Sequence, residues 1–305
     1  MASQEPLLVR RSLYFKKSFS FISLYHHKVY LSKMVNNFFL YAYQGSSSGY
    51  LILTGRDNSF ILINPFTRRK MVINNSTFNV DFSCFSCQVL LAFSRGLKEF
   101  VLVVICRDPN NLHVYQNLGW VTYLTPQMVV DFAVLHNTIY VVTVKANIGI
   151  LNLNSTNIKI LDLKSTLGVI SGSFSHVRLV SCDEHLLVLN IMSKVTFNVY
   201  KIDFSIMDYV KLETLGDIAL FYAPKKKYYA LSNPRMWGYE NNSLYVIDLA
   251  RDKYTLFKGD DNKMPEIILP MVHVEGVPLR SSSEQPYLDW CFRHIRYEID
   301  YSLVE

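Results

Sequence analysis

The chain has 305 residues, 50% hydrophobic, 14% aromatic and 18% charged, with a formal net charge of +6. So many aromatic and branched residues exclude a disordered polymer, and 12 Gly with 10 Pro are too few for a collagenous or low-complexity chain. The basic excess is mild and forms no concentrated stripe, so no nucleic-acid partner is expected.

The N-terminal MASQEPLLVRRSLYFKK carries Pro6 and Arg10-Arg11 where a secretory peptide would place its apolar core. No run approaches the roughly 20 apolar residues of a spanning helix. These features predict a protein with no membrane partner, located in the cytoplasm, the nucleus or both. The sequons at Asn74, Asn75 and Asn154 are then chance matches in turns.

Apolar residues come in blocks of about four to eight, rich in Val, Ile, Leu, Tyr and Phe and bounded by turn residues, which predicts strands. In chain order the blocks include FISLYHHKVYLSKM from Phe21, YLILT (50–54), FILI (60–63), FVLVVIC (100–106), TIYVVTV (138–144), HLLVLNI (185–191) and SLYVIDL (243–249). After FILI, Asn64 is held extended by Pro65, which presets a turn. Arg68, Arg69 and Lys70 are expected on the outer strand that follows, where charge discourages pairing with another chain. Cys84 and Cys87 form a C-x-x-C with no second pair to complete a zinc site, and five cysteines without regular spacing make no disulfide framework. They are expected as buried strand cysteines. A helical stripe is almost absent; a short helix is expected only near the C-terminal YLDWCFRHIRYEI (287–299).

Aligned, the blocks repeat: a strand, a turn, then an apolar strand ending in Asn or Asp. GYLILTGRDNSFILINPFT from Gly49, NTIYVVTVKANIGILNLNSTN from Asn137 and NSLYVIDLARDKYTLF from Asn242 show it best, with looser copies near Phe21, Phe100 and His185. Their mean spacing of about 50 residues lies in the range of propeller blades. The expected fold is all-β: one domain spanning 1–305, a β-propeller of about six or more four-stranded blades.

No constellation points to chemistry. Phosphate-cradling, dinucleotide, zinc-protease and nucleophile-elbow motifs are absent. Asp183, Glu184 and His185 are adjacent in SCDEHLL, but neighbours on a strand alternate faces and the segment reads as a turn. GDDNK (259–263) lacks the order of a calcium loop. His26, His27 and His113 have no partner at ligand spacing. The basic clusters Arg10-Arg11, Arg68–Arg69–Lys70 and Lys225–Lys226–Lys227 read as solvated turn charges. Trp120, Trp237 and Trp290 read as core or rim packing, with Trp237, in the polar NPRMWGYENN, the best candidate for an exposed interface anchor. No catalytic, cofactor-binding or metal-binding residue and no enzyme activity are expected, and the partner-binding residues are unassigned.

The same blocks carry a family resemblance. SSSGYLILTG followed by ILINPFT, VVDFAVLHNTIYVV (129–142), VRLVSCDEHLLVLNI (177–191), FNVYKIDFSIMDYVKLETLGDIALFYA (197–223), NNSLYVID (241–248) and PEIILPMV (265–272) resemble, in order, the plant F-box-associated β-propeller family of KIB type. Asp208-Tyr209 stands where Ser-Trp or Lys-Trp is common, and Met271 where Trp is frequent. The resemblance implies the substrate-recognition region of an SCF-type ubiquitin ligase adaptor, with a protein target as partner and no cofactor. Family members begin with an F-box that docks a Skp-type adaptor, and none is visible here. The alternative implied is a regulator or decoy that binds the same targets without recruiting a ligase.

Overall fold

The six repeat blocks fall one to a sheet. A computed structural model describes residues 6–11, 19–26, 28–32, 41–74, 76–78, 87–94, 99–106, 111–125, 127–155, 157–167, 177–191, 197–223, 227–248, 253–258, 266–268, 287–292 and 297–299. Their strands form six blades, ordered here from the inner strand outwards. Blade 1 is β25 (Tyr287–Phe292), β1 (Pro6–Arg11), β2 (Phe19–Ser23) and β3 (Lys28–Ser32). Blade 2 is β4 (Tyr41–Ser47), β5 (Tyr50–Gly55), β6 (Phe60–Ile63) and β7 (Lys70–Ile73). Blade 3 is β8 (Gln88–Ser94), β9 (Phe100–Ile105), β10 (Asn111–Gln116) and β11 (Gly119–Leu124).

Blade 4 is β12 (Val129–Leu135), β13 (Thr138–Thr143), β14 (Ile148–Asn152) and β15 (Asn157–Ile160). Blade 5 is β16 (Val177–Cys182), β17 (His185–Ile191), β18 (Phe197–Asp203) and β19 (Asp208–Leu212). Blade 6 breaks the pattern: β21 (Lys227–Ser232) lies innermost, then β20 (Ile218–Ala223), β22 (Ser243–Asp248), β23 (Lys253–Lys258) and β24 (Glu266–Ile268). Here β20 and β22 run parallel, and the chain between β21 and β22 carries a 3-10 turn at Pro234–Trp237. The copies near Gly49, Asn137, Phe100 and His185 are second and third strands, whereas those near Phe21 and Asn242 are third and fourth.

The apolar runs are continuous because each blade is covered on both faces. Six buried clusters lie between successive blades, and alternate residues of one strand feed different clusters. In β5, Leu51 and Leu53 join residues of blade 1, while Tyr50 and Ile52 join residues of blade 3. In β1, Leu7 and Val9 face blade 2, and Leu8 faces blade 6. FILI is buried throughout, as its unbroken apolar pattern predicts.

The ring closes between its two ends. β25 pairs antiparallel with β1, from Pro6 opposite Phe292 to Arg11 opposite Tyr287. This corrects the expected C-terminal helix: residues 287–292 are a strand and 298–299 pair with β8. The i, i+3 apolar positions there are real, but closing the ring outweighs a weak helical stripe.

The recurring Asn or Asp has a definite job at the end of the third strand. Asn64 Oδ1 accepts from the amides of Phe66 and Thr67 at 3.0 and 2.9 Å, and Asn152 Oδ1 from those of Asn154 and Ser155, both at 2.9 Å. Asp203 Oδ1 accepts from Ser205 N at 2.9 Å, and in blade 1 the Ser23 hydroxyl accepts from His26 N at 2.9 Å. Each such turn leans on the preceding blade. Phe66 packs against Phe21, and Gln116 and Tyr123 bond the carbonyls of Leu153 and Asn152. Tyr209, where the family resemblance would place Trp, keeps an inter-blade contact through its hydroxyl to Ala146 O at 2.6 Å.

The basic triplet is placed differently from expectation. Only Lys70 enters the outer strand; Arg68 sits in the turn with φ 60°, and all three side chains are exposed. Lys159 in β15 and Lys211 in β19 place charge on outer strands in the same way, guarding edges against pairing. Replacing Asn64 by Ala removes the acceptor of two turn amides. It should lower unfolding free energy by about 1 kcal/mol in urea melts, with Asn64→Asp close to wild type.

Candidate functional site

Inner strands carry charges that a purely apolar core would not. Asp131 in β12, Arg178 in β16, Lys227 in β21 and Asp289 in β25 each interrupt an apolar run and gather at the centre of the ring. Asp289 and Arg178 are 2% and 1% exposed. Asp289 is the hub. Its Oδ2 accepts from Tyr43 OH at 2.7 Å, and its Oδ1 from Tyr229 OH at 2.9 Å and from its neighbour's amide, Trp290 N, at 2.8 Å. Lys227 Nζ donates to Ser46 O at 2.6 Å and lies 5.0 Å from the centre of the Tyr229 ring. Ser46 in turn donates from its hydroxyl to Trp290 O.

On the other side, Asp131 accepts from Phe132 N at 2.9 Å and from Leu179 N at 3.1 Å, and Arg178 donates to Val177 O at 2.7 Å. Bulges put these groups in place: the register of β4 shifts at Tyr43/Gly45, and that of β12 at Val129/Asp131. Bulges re-aim side chains. A Cβ at Gly45 would press on Val89 Cγ2 at 3.3 Å and sit 3.9 Å from both Asp289 Oδ2 and Lys227 Nζ.

The C-terminal segment completes this centre. β26 (Glu298–Ile299) runs parallel to β8, Phe93 N donates to Tyr297 O at 2.8 Å, and Tyr297 N donates to Ser48 Oγ at 3.0 Å. The phenol of Tyr297 hydrogen-bonds Ser181 of blade 5 and is pushed up to about 12 by burial. One side chain thus joins blades 3 and 5 across the ring.

Burial is the leading influence on Asp131, Lys227 and Asp289. It pushes Asp289 and Asp131 above the usual carboxylate range, with Lys227 and Arg178 respectively pulling back, and it lowers Lys227 against the pull of both aspartates. The charges are close enough to offset one another, and the hydroxyls and amides occupy the remaining lone pairs. Such a cluster fixes which strand sits innermost.

The residues singled out from sequence scatter rather than converge. Asp183 and Glu184 form the β16–β17 turn; Asp183 accepts from Ser232 Oγ at 2.7 Å, and Glu184 pairs with His136 in the open. His113 is buried, bonds Thr122 at 3.0 Å and stacks on Phe78. Exposed His26 lies edge-on to Tyr25. Trp290 is fully buried, Trp120 packs with Phe60, Phe78 and Tyr115, and Trp237 is half-buried beside Phe221 and its neighbours. His27, Cys84, Lys225, Lys226 and residues 259–263 lie outside the described residues. Among the described residues, no three His, Cys, Asp or Glu come together to hold a metal.

Lys227 corrects the reading of its cluster as solvated turn charge. It opens the inner strand and points to the axis, because β20 and β21 form the hairpin that brings this end of the cluster inside. The aspartates and arginine were readable only as single charges in VVDFAV, VRLV and YLDW.

Asp289→Ala strips Lys227 of its nearest counter-charge and two phenols of their acceptor, and should cost about 3 kcal/mol in urea melts. Asp289→Asn keeps the shape and isolates the titration. Because the folded-state pKa is raised, the contribution is fully present below about pH 4 and is lost as pH rises through the folded value. The stability of wild type relative to Asp289→Asn should therefore fall as pH rises from 4, then level off.

The family comparison agrees with this architecture. The sequence matches the KIB1-4 beta-propeller family over residues 19–265. No curated protein matches it. Among solved structures it is similar to TolB from Acinetobacter baumannii, at 11% identity over 94% of this chain and 66% of that one, TM-score 0.47. It is also similar to a quinonprotein alcohol dehydrogenase-like protein from Bacteroides thetaiotaomicron, at 12% identity over 96% and 71%, TM-score 0.42. Against AztD from Citrobacter koseri the identity is 12% over 56% of this chain, TM-score 0.38, and the match spans only 46% of that chain. With most of its length matched and six blades closed around a polar centre, this chain belongs to the KIB1-4 β-propeller family.

Proposed function

We propose that this propeller is a protein-interaction module, not an enzyme, that holds a protein target for an SCF-type ubiquitin ligase in the cytoplasm or nucleus of a plant cell. Family membership supports the binding role, and the observation that carries it is an apolar rim between blades 6 and 1. There Met236 is 78% exposed and Tyr25 is 56% exposed, on adjoining loops with exposed Arg235. Met, Tyr and Arg are enriched at protein interfaces, whereas an isolated loop gains nothing from exposing a large thioether.

The rim is held by local packing. Gly238 ends the 3-10 turn with φ 79°, and the Tyr25 ring lies where a Cβ at that position would stand. Trp237 anchors the loop from below by packing on the cluster of Phe221, Tyr245 and Trp290. The sequence reads Trp237 as core or rim packing, though the best candidate of the three tryptophans for an exposed anchor; it packs half-buried on that cluster, and its neighbour Met236 is the exposed side chain.

The test is capture of partners from plant extract on the full chain, beside the Met236→Glu and Tyr25→Ser variants. The expected result is a target, with a Skp-type adaptor and cullin, whose binding falls at least about tenfold in the variants while their melting is unchanged. A target without adaptor or cullin would replace the ligase role by that of a regulator or decoy. Capture undiminished by either variant would remove the rim from the account.

A further inference from the structure

We propose that Cys87 and Cys106 are a reversible oxidation site that closes to a disulfide across the first two strands of blade 3. The β8–β9 ladder pairs Gln88 with Ile105, so Cys87 and Cys106 stand opposite each other at its next rung. Neither is in a disulfide, and their sulfurs are 2.8 Å apart. Bond formation needs an approach of about 0.8 Å to reach S–S bond length. Directly opposed strand residues hold their Cα atoms about 4.5–5.5 Å apart, within the range that disulfides span.

Surroundings give the two thiols different roles. Cys87 is buried, 4% exposed, and its amide donates to Gln44 Oε1 at 3.1 Å, which fixes the backbone on that side. Cys106 follows the end of β9 and is half-buried, so a small oxidant reaches it first. The Cys87 contact and burial both raise the Cys106 thiol above its ordinary range, which makes the first step slow at neutral pH and faster in mild alkali. The other described cysteines, Cys182 in β16 and Cys291 in β25, are buried in different inter-blade clusters.

The exchange balances with a low-molecular-weight disulfide as oxidant. The Cys106 thiolate attacks one sulfur of oxidised glutathione and expels glutathione thiolate, leaving a mixed disulfide on Cys106. Cys87 then attacks Cys106 Sγ, the S–S bond forms between them, and a second glutathione thiolate leaves. Two protein thiols are oxidised, one disulfide is reduced, and the two protons end on the released thiols. The product ties the start of β8 to the end of β9, at one edge of the apolar cluster between blades 2 and 3. Reduction releases it, so the stiffness of this rim follows the thiol balance of its surroundings.

The test is incubation of the full chain with oxidised glutathione at pH 8, alkylation of remaining thiols, and non-reducing peptide mapping by mass spectrometry. The expected result is a fall from five alkylatable thiols to three, a cross-linked peptide joining Cys87 to Cys106, and full reversal by dithiothreitol. Cys87→Ser should instead retain glutathione on Cys106, because the resolving sulfur is missing, and Cys84→Ser should form the bond as wild type does. A bond between Cys84 and Cys87, a stable glutathione adduct on the wild-type chain, or five thiols left intact would each overturn the proposal. The wild-type map decides even if a variant fails to fold.

Discussion

Everything in this ring depends on one pairing, that of β25 with β1. Neither strand has a complete sheet without the other, since β25 supplies the inner edge of a blade whose other strands lie at the opposite end of the chain. Closing so long a loop is entropically costly, and the cost is met only when the contacts made at closure are many. Here they include Trp290, fully buried against Phe221 with ring centres 4.8 Å apart, and Leu8 on the same cluster.

The polar centre gives that closure its specificity. Apolar strands of similar pattern could exchange places at little cost, because Val, Ile and Leu pack in many registers. Asp289 removes the freedom. Only β25 innermost, at its observed register, brings this carboxylate to Tyr43 of β4 and to Tyr229 and Lys227 of β21. The hairpin of β20 and β21 delivers two of those groups, which accounts for the departure of blade 6 from simple strand order. Tyr297 extends the same logic to blade 5 by way of Ser181.

How much of this the sequence disclosed depends on the range of the interaction concerned. Local rules were legible: continuous apolar runs marked strands covered on both faces, and the Asn or Asp at the end of the third strand in blades 2, 4 and 5 marked a turn whose side chain binds its own backbone. Six blocks gave six blades, although those near Phe21 and Asn242 were out of phase by one strand. What stayed hidden was set between distant segments. YLDWCF reads as a weak helix until β1 is beside it, and Lys227 reads as the last of three solvated lysines until β21 is seen to be innermost. The polar NPRMWGYENN marked Trp237 as the candidate for exposure, whereas packing sets that ring on the Phe221 cluster and leaves its neighbour Met236 to water.

Native-state hydrogen exchange of the β1 and β25 amides, followed in increasing denaturant, tests the central claim most directly. If closure of blade 1 holds the ring, these amides exchange at the free energy of the amides in β13 and β17, and with the same denaturant dependence, because opening them unfolds the whole. Exchange of β25 through a small, denaturant-independent opening, with β13 and β17 still protected, would show a ring that stands without its clasp and would contradict the account.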